Sequence, residues 1–315
     1  MVYDIVIRDG LTFDGTGKVP PRILNVGIRD GKVVKLTTEA LEVGPTTRVV
    51  DAKGKWVLPG FVDVHTHYDA EVLRAPSLSE SVRHGVTTVT IGSCSIGAVL
   101  SEPEDCSDLF TRVESVPREH VLPLLRETKT WSTPKELVSF LGSHPLGPNL
   151  ATFLGHSDLR ARVLGLGRAV DETVRPSEGE LREMETWLRE AIDCGFVGLS
   201  TMTNPWDKLD GDRYRSAKLP STYATWGEYR RLHRVLRERG AVLQSAPSLV
   251  TKVNSLLFML ESAGLFFRKP LKTTLITLAD AKSSPGLHRV IAKAAELLNR
   301  FFGADLRWQT LPMPF

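Results

Sequence analysis

The sequence predicts an α/β protein in two parts: a small β-sheet module, then a parallel sheet wound with crossover helices that stops one strand short of a closed eight-stranded barrel. Two observations predict it. Short β-rich runs at Ile5 to Arg8, Ile23 to Arg29 and Val33 to Leu36 are separated by Asp9-Gly10, Asp14-Gly15 and Asp30-Gly31, the signature of tight hairpin turns. From Gly60 onward strands alternate with helices, which argues for parallel pairing through helical crossovers. The expected boundaries are residues 1–57 for the module and 58–315 for the barrel.

The candidate barrel strands are Phe61 to His67, Val86 to Gly92, Leu150 to Leu154, Phe196 to Ser200, Ala241 to Gln244, Thr273 to Leu278 and Leu306 to Thr310. Two of the intervening helices declare their ends. Ser177 with Glu180 reads as a capping box; Leu181, Met184, Leu188, Ala191 and Ile192 form one apolar stripe, and Gly195 stops it. Thr225 with Glu228 repeats the device, with Tyr229, Leu232, Val235 and Leu236 as the buried face and Gly240 as the end. Both stripes serve packing. Between Glu102 and Pro134, proline, aspartate and charged residues interrupt any period. That stretch reads as a long insertion over the barrel mouth, a place where substrate lids occur.

Composition narrows the function. An apolar fraction of 42% and a charged fraction of 24% are ordinary for a globular enzyme, and 315 residues allow a large core. A net charge of +3, with Lys and Arg scattered, argues against a nucleic-acid partner. No run reaches the roughly 18 apolar residues of a membrane helix, so no membrane partner is expected; the oligomeric state is left open. Met-Val-Tyr-Asp enters a strand pattern at once, unlike a secretory signal. Cys94, Cys106 and Cys194, odd in number and widely spaced, suit a reducing cytoplasm better than a disulfide framework.

The chemistry sits in Val57-Leu58-Pro59-Gly60-Phe61-Val62-Asp63-Val64-His65-Thr66-His67-Tyr68-Asp69. In an extended strand, residues i and i+2 share a face, so His65 and His67 project together where the strand ends. Such a pair can bind one divalent metal through neutral imidazole nitrogen. A bare His-x-His also reads as two solvated side chains; Pro59-Gly60 before the strand and Asp69 after it favour the metal. Asp69 suits a hydrogen-bonding role that orients a loop or a ligand. Cys94 follows the second barrel strand and so shares the mouth with the histidines. It reads as a thiolate ligand or as a small buried hydrophobe. His156, after the third strand, faces the same mouth, as a pocket or second-shell residue or as a structural hydrogen-bonding group.

Val57 to Asp69 resembles the metal-binding strand of the amidohydrolase superfamily, in which the first strand of a (β/α)8 barrel carries His-x-His. Tyr3 to Thr16, Gly31 to Val34 and Val50 to Gly60 are similar to the opening of the same proteins, where a small β-sandwich precedes the barrel. Gly92-Ser93-Cys94 and Gly195 to Thr201 resemble the N-acyl-D-amino-acid deacylases, or D-aminoacylases. The resemblance implies a small β-sandwich followed by an incomplete (β/α)8 TIM-like barrel. It implies Zn2+, or another divalent metal, on His65, His67 and Cys94, and a pocket role for His156. It also implies hydrolysis of a non-peptide C–N bond in a small-molecule substrate, an N-acyl amino acid. Recognition of that substrate's carboxylate calls for a cation at the rim, for which Arg160 is the candidate.

Departures from the family pattern matter as much. The deacylases ligate metal with further histidines from their fifth and sixth strands, but Gly240 to Pro247 and Leu275 to Ala281 contain none. An aspartate from an eighth strand, which would take the proton, is not reached before Phe315. The expectation is the N-terminal part of a longer amidohydrolase, with the catalytic residue unassigned and Asp280 as a substitute carboxylate. Two alternatives stand beside deacylation. One is cyclic-amide hydrolysis of the hydantoinase or dihydropyrimidinase kind, which commonly needs a lysine on the fourth strand; Phe196 to Thr201 has none. The other is a catalytically incomplete, non-enzymatic fragment or relative.

Overall fold

Two sheets organise the protein. The structure is a computed structural model that describes residues 2–248, 252–264, 269–276, 278, 280 and 285–310. The chain divides into compact units at Met1–Phe61 and Val62–Phe315. The first unit holds β1 (Ile5–Thr12), β2 (Arg22–Arg29), β3 (Lys32–Thr37), β4 (Arg48–Asp51) and β5 (Trp56–Val57) in one mixed sheet, ordered β3-β2-β1-β4 with β5 also beside β1. Asp30 and Gly31 both take left-handed φ, 52° and 70°, as a two-residue hairpin with the twist of its strands requires.

Asp9-Gly10 is not the expected turn. It lies inside β1, where the register with β2 shifts between Ile7 and Gly10. Asp9 takes φ 56° and its N–H donates to Asn25 Oδ1 at 3.0 Å. The pair forms a β-bulge, which absorbs an extra residue while Val6 and Val26 stay buried.

The second unit is a curled sheet of β6 (Phe61–Asp63), β7 (Val86–Ile91), β8 (Asn149–Gly155), β9 (Gly198–Met202), β10 (Val242–Ala246), β11 (Lys272–Ile276) and β12 (Asp305–Gln309), neighbours in chain order. Pairing from β7 to β12 is parallel. Every residue of β9 and most of β10 are buried, as in parallel strands covered on both faces. The expected sixth strand includes Thr277, which lies outside the described residues. The first barrel strand is shorter than expected and ends at Asp63. His65 N–H donates to Asp63 Oδ1 at 3.2 Å in place of a ladder bond, but Thr66 N and Oγ1 both reach Thr90 O, at 3.0 and 2.8 Å. The segment therefore keeps strand-like alternation, with Thr66 facing β7.

Helices α1 (Glu71–Arg74), α2 (Ser79–Arg83), α3 (Pro103–Phe110), α4 (Arg118–Thr128), α5 (Pro134–Ser143), α6 (His156–Leu164), α7 (Leu166–Ala169), α8 (Glu178–Asp193), α9 (Trp226–Arg239), α10 (Lys252–Ser262) and α11 (Leu287–Phe301) follow the strands. Helix α8 carries the reciprocal capping box of Ser177 and Glu180. In α9 only half of the device forms. Thr225 Oγ1 accepts from Glu228 N at 3.3 Å, while the Glu228 carboxylate turns inward to His156 and Arg160.

The stretch from Glu102 to Pro134 is helical where irregular chain was expected. Pro103 and Pro134 are first residues of α3 and α5, a position that needs no N–H donor; they mark starts, not breaks. Buried Asp108 pins this region through Arg118 at 2.8 Å and Arg213 at 3.0 Å. Among the described residues no helix is long and apolar enough to cross a membrane.

Candidate metal centre

His65 Nε2 lies 3.1 Å from His67 Nε2 and 3.3 Å from Cys94 Sγ, and the three donor atoms fall within 4.8 Å of one another. Thr66, held on Thr90, sets both rings on one side. Cys94 is placed by a sharp turn after β7. Gly92 has φ 71°, and a Cβ there would stand 2.2 Å from Phe153 O, so only glycine fits. Cys94 itself takes φ 54°, a left-handed conformation held by its N–H donating to Gln244 Oε1 at 3.1 Å. Gln244 Nε2 in turn donates to Ser93 Oγ at 3.3 Å. The fifth-strand side chain thus anchors the cysteine loop. Asp69 accepts from Gly92 N–H at 3.0 and 3.3 Å, tying the histidine segment to the same turn.

Burial sets the electrostatics. It holds His65 below its ordinary value against the opposing Gln309 bond. Burial and then the neighbouring His65 push His67 down to about 3. Both rings are neutral near pH 7, the state that donates to a metal. Burial, followed by Glu114, Asp207 and Asp69, pushes the Cys94 thiol well up, so a thiolate there requires a cation. Burial also raises Asp69 and Glu114 to about 7.

The donor set fits a divalent ion. With bonds of roughly 2.0–2.1 Å to nitrogen and about 2.3 Å to sulfur, donors around a tetrahedral ion would stand roughly 3.3–3.6 Å apart, close to the two spacings of His65, with His67 and Cys94 within 4.8 Å of each other. Three protein donors leave one position open, the arrangement of catalytic zinc sites. Beside His65 and Cys94 runs a cavity of about 860 Å³ along the sheet's inner face, walled by Thr90, Phe153, Val242, Ile276 and Trp308, within the range of small-molecule pockets.

The other sequence candidates stand elsewhere. His156 is fully buried at the start of α6, with Nε2 2.8 Å from Glu228 Oε1 and Nδ1 3.1 Å from Thr201 Oγ1. Arg160 is equally buried, and its Nη1 donates to Glu228 Oε2; the guanidinium lies in the core and not at the rim. Asp280 is exposed and meets His288 at 3.0 Å. Sequence reasoning missed Glu114, whose Oε1 is 3.3 Å from His67 Nδ1, and Gln309, whose Oε1 is 2.7 Å from His65 Nδ1. No spacing signal links either to the histidines.

Residues 48–106 match the model of the amidohydrolase family. An uncharacterized protein of Mycobacterium tuberculosis is 54% identical over 316 residues, covering 100% of this chain and 52% of the relative; the chain thus spans about half the length of that relative. An N-acyl-D-glutamate deacylase of Alcaligenes xylosoxydans xylosoxydans is 31% identical over 199 residues, 63% of this chain and 37% of the relative. The crystal structure of the N-acyl-D-glutamate deacylase of Bordetella bronchiseptica, complexed with zinc and a phosphonate mimic of the tetrahedral intermediate, shares the fold. Its TM-score is 0.77 at 23% identity, over 100% of this chain and 59% of that one.

Proposed function

The chain belongs to the amidohydrolase superfamily, and within it to the D-aminoacylase-like family, and from that premise we propose that His65, His67 and Cys94 hold a divalent metal ion, zinc first, in a hydrolase of non-peptide C–N bonds. The substrate class is N-acyl-D-amino acids, cut at a linear amide to a carboxylate and a free amine. One observation carries the reading: two neutral imidazole nitrogens and one sulfur converge within 4.8 Å beside a cavity of substrate size.

A bound ion would supply Lewis acidity toward the scissile carbonyl and a water molecule. His65 and His67 serve as neutral donors and Cys94 as the anionic one. Asp69 keeps their two loops in register through Gly92. The cavity beside His65 and Cys94 would take the acyl group. No described carboxylate is assigned the proton transfer, since Asp69 is tied to a backbone N–H and Asp280 is at the surface. Residues 1–57 act as a sheet module ahead of the barrel of 58–315, and three free cysteines suit a cytoplasmic setting.

Against cyclic amides, β9 reads Gly-Leu-Ser-Thr-Met, without lysine. A non-catalytic role draws on Gln244, which engages the backbone at a position where a further ligand is expected. Metal content by mass spectrometry, on the chain and on His65→Ala/His67→Ala, decides. Near-stoichiometric zinc lost in the variant supports the hydrolase and directs a screen of N-acyl-D-amino acids; folded protein without metal overturns the ligand assignment.

A further inference from the structure

We propose that Glu114 is a positioning residue of the metal centre: its carboxylate accepts the Nδ1–H of His67 and so leaves Nε2 of that ring free for the ion. The proposal rests on the metal reading above and adds a specific dependence on the region between α3 and α4.

A neutral histidine ligand carries its proton on the nitrogen that does not bind metal, and a partner for that proton fixes ring and tautomer together. For His65 the partner is Gln309, at 2.7 Å from Nδ1. For His67, Nδ1 is buried without an aligned hydrogen bond, and the acceptor facing it is Glu114 Oε1 at 3.3 Å. Catalytic bonds that are long in an empty site tighten when it is filled. A carboxylate oxygen that closes on Nδ1 as acceptor selects the tautomer with Nε2 bare.

Glu114 is not a chance neighbour on a loose loop. Its own N–H donates to Phe110 O at the end of α3, and Val116 N–H donates to Thr111 O. Arg112 reaches Ser216 at 2.7 Å, and Asp108 with Arg118 clamps the entry to α4. The carboxylate therefore projects from a braced turn, only 21% exposed, toward a ring 17% exposed.

The test uses the 315-residue chain, with zinc affinity read by chelator competition and imidazole tautomers by ¹⁵N NMR on metal-free protein. Glu114→Ala is expected to bind zinc about 10–100-fold more weakly, with the thermal midpoint unchanged. Glu114→Gln, which keeps an acceptor oxygen, should restore most of the affinity. His67 should carry its proton on Nδ1 in the wild type and lose that preference in Glu114→Ala, while His65 keeps its own. Wild-type affinity in Glu114→Ala overturns the proposal alone. A wild-type chain that binds no zinc overturns the metal reading and this one with it. If the alanine variant does not fold, the wild-type spectrum still decides, because Nε2 protonation of His67 overturns the proposal.

Discussion

His65 Nδ1 and Gln309 Oε1, 244 positions apart in the chain, lie 2.7 Å from one another. The bond joins the segment after β6 to the last residue of β12, so the curled sheet brings its two outer strands together at the candidate metal centre. An amide oxygen can only accept, which makes the imidazole the donor and turns Nε2 toward Cys94. Replacing Gln309 by Ala should weaken zinc binding roughly tenfold or more, whereas Gln309→Glu should stay within a few-fold of wild type. Chelator competition measures both. Equal affinities for wild type and Gln309→Ala would leave the bond without a role in orienting the ligand.

Glu228 supplies the second test. Its carboxylate lies between His156 and Arg160, all three side chains at most 1% exposed, and Arg160 Nε and Nη2 have no other partner. Removing the carboxylate strands a buried guanidinium, which typically costs about 3–5 kcal/mol. Glu228→Ala should therefore lower the urea midpoint sharply and Glu228→Gln less. Metal content should hold in the folded fraction, because none of these groups touches the His65, His67 and Cys94 donors. A midpoint within error of wild type for Glu228→Ala would mean that water replaces the carboxylate.

What the sequence made legible follows from how local each signal is. The strands β9 and β10 and the Ser177 capping box are settled within a few residues; the box forms as expected, and the two strands form one or two residues later in the chain than expected. Asp9-Gly10 misled because one dipeptide serves a hairpin turn and a bulge alike, and only pairing with Asn25 separates the two. Pro103 and Pro134 misled because a helix start tolerates what a helix interior does not. Residue type and spacing singled out His65, His67 and Cys94, whose donor atoms the fold brings within 4.8 Å of one another. Glu114, Gln309 and Gln244 reach them only through tertiary folding. Position after a strand suggested a rim role for Arg160, but the chain's order says nothing of which way a side chain turns.

Gly92 should be intolerant of any side chain. A Cβ would meet Phe153 O at 2.2 Å on a backbone with φ 71°, and the same residue's N–H holds Asp69. Gly92→Ala is expected to cost on the order of 2 kcal/mol or more from strain and to lower zinc content by displacing Cys94. Thermal melts and metal analysis on the variant check both. Full zinc occupancy with a lowered melting point would uncouple the turn from the metal centre.

Acid should act through Glu261. His233 faces its Oε2 at 3.5 Å and Arg237 at 2.7 Å, with Arg230 3.9 Å from Oε1. These partners, His233 foremost and then Arg237, outweigh burial and hold the carboxyl at about 2, against an ordinary 4.5. A group depressed in the folded state stabilises the fold above its unfolded value and loses that contribution as pH falls through the folded one. The Glu261 contribution is thus complete above about pH 4.5 and shrinks toward pH 2, with a ceiling on the order of 2–3 kcal/mol. Glu261→Gln should be less stable than wild type near neutrality, and the gap should narrow in urea titrations at about pH 3. His233, held below its ordinary value by burial against the Glu261 bond, loses that bond in Glu261→Gln, so the difference between the two proteins reports the coupled His233–Glu261 pair. A gap that stays constant from neutral to acid pH would show that Glu261 stabilises through packing and not through its charge.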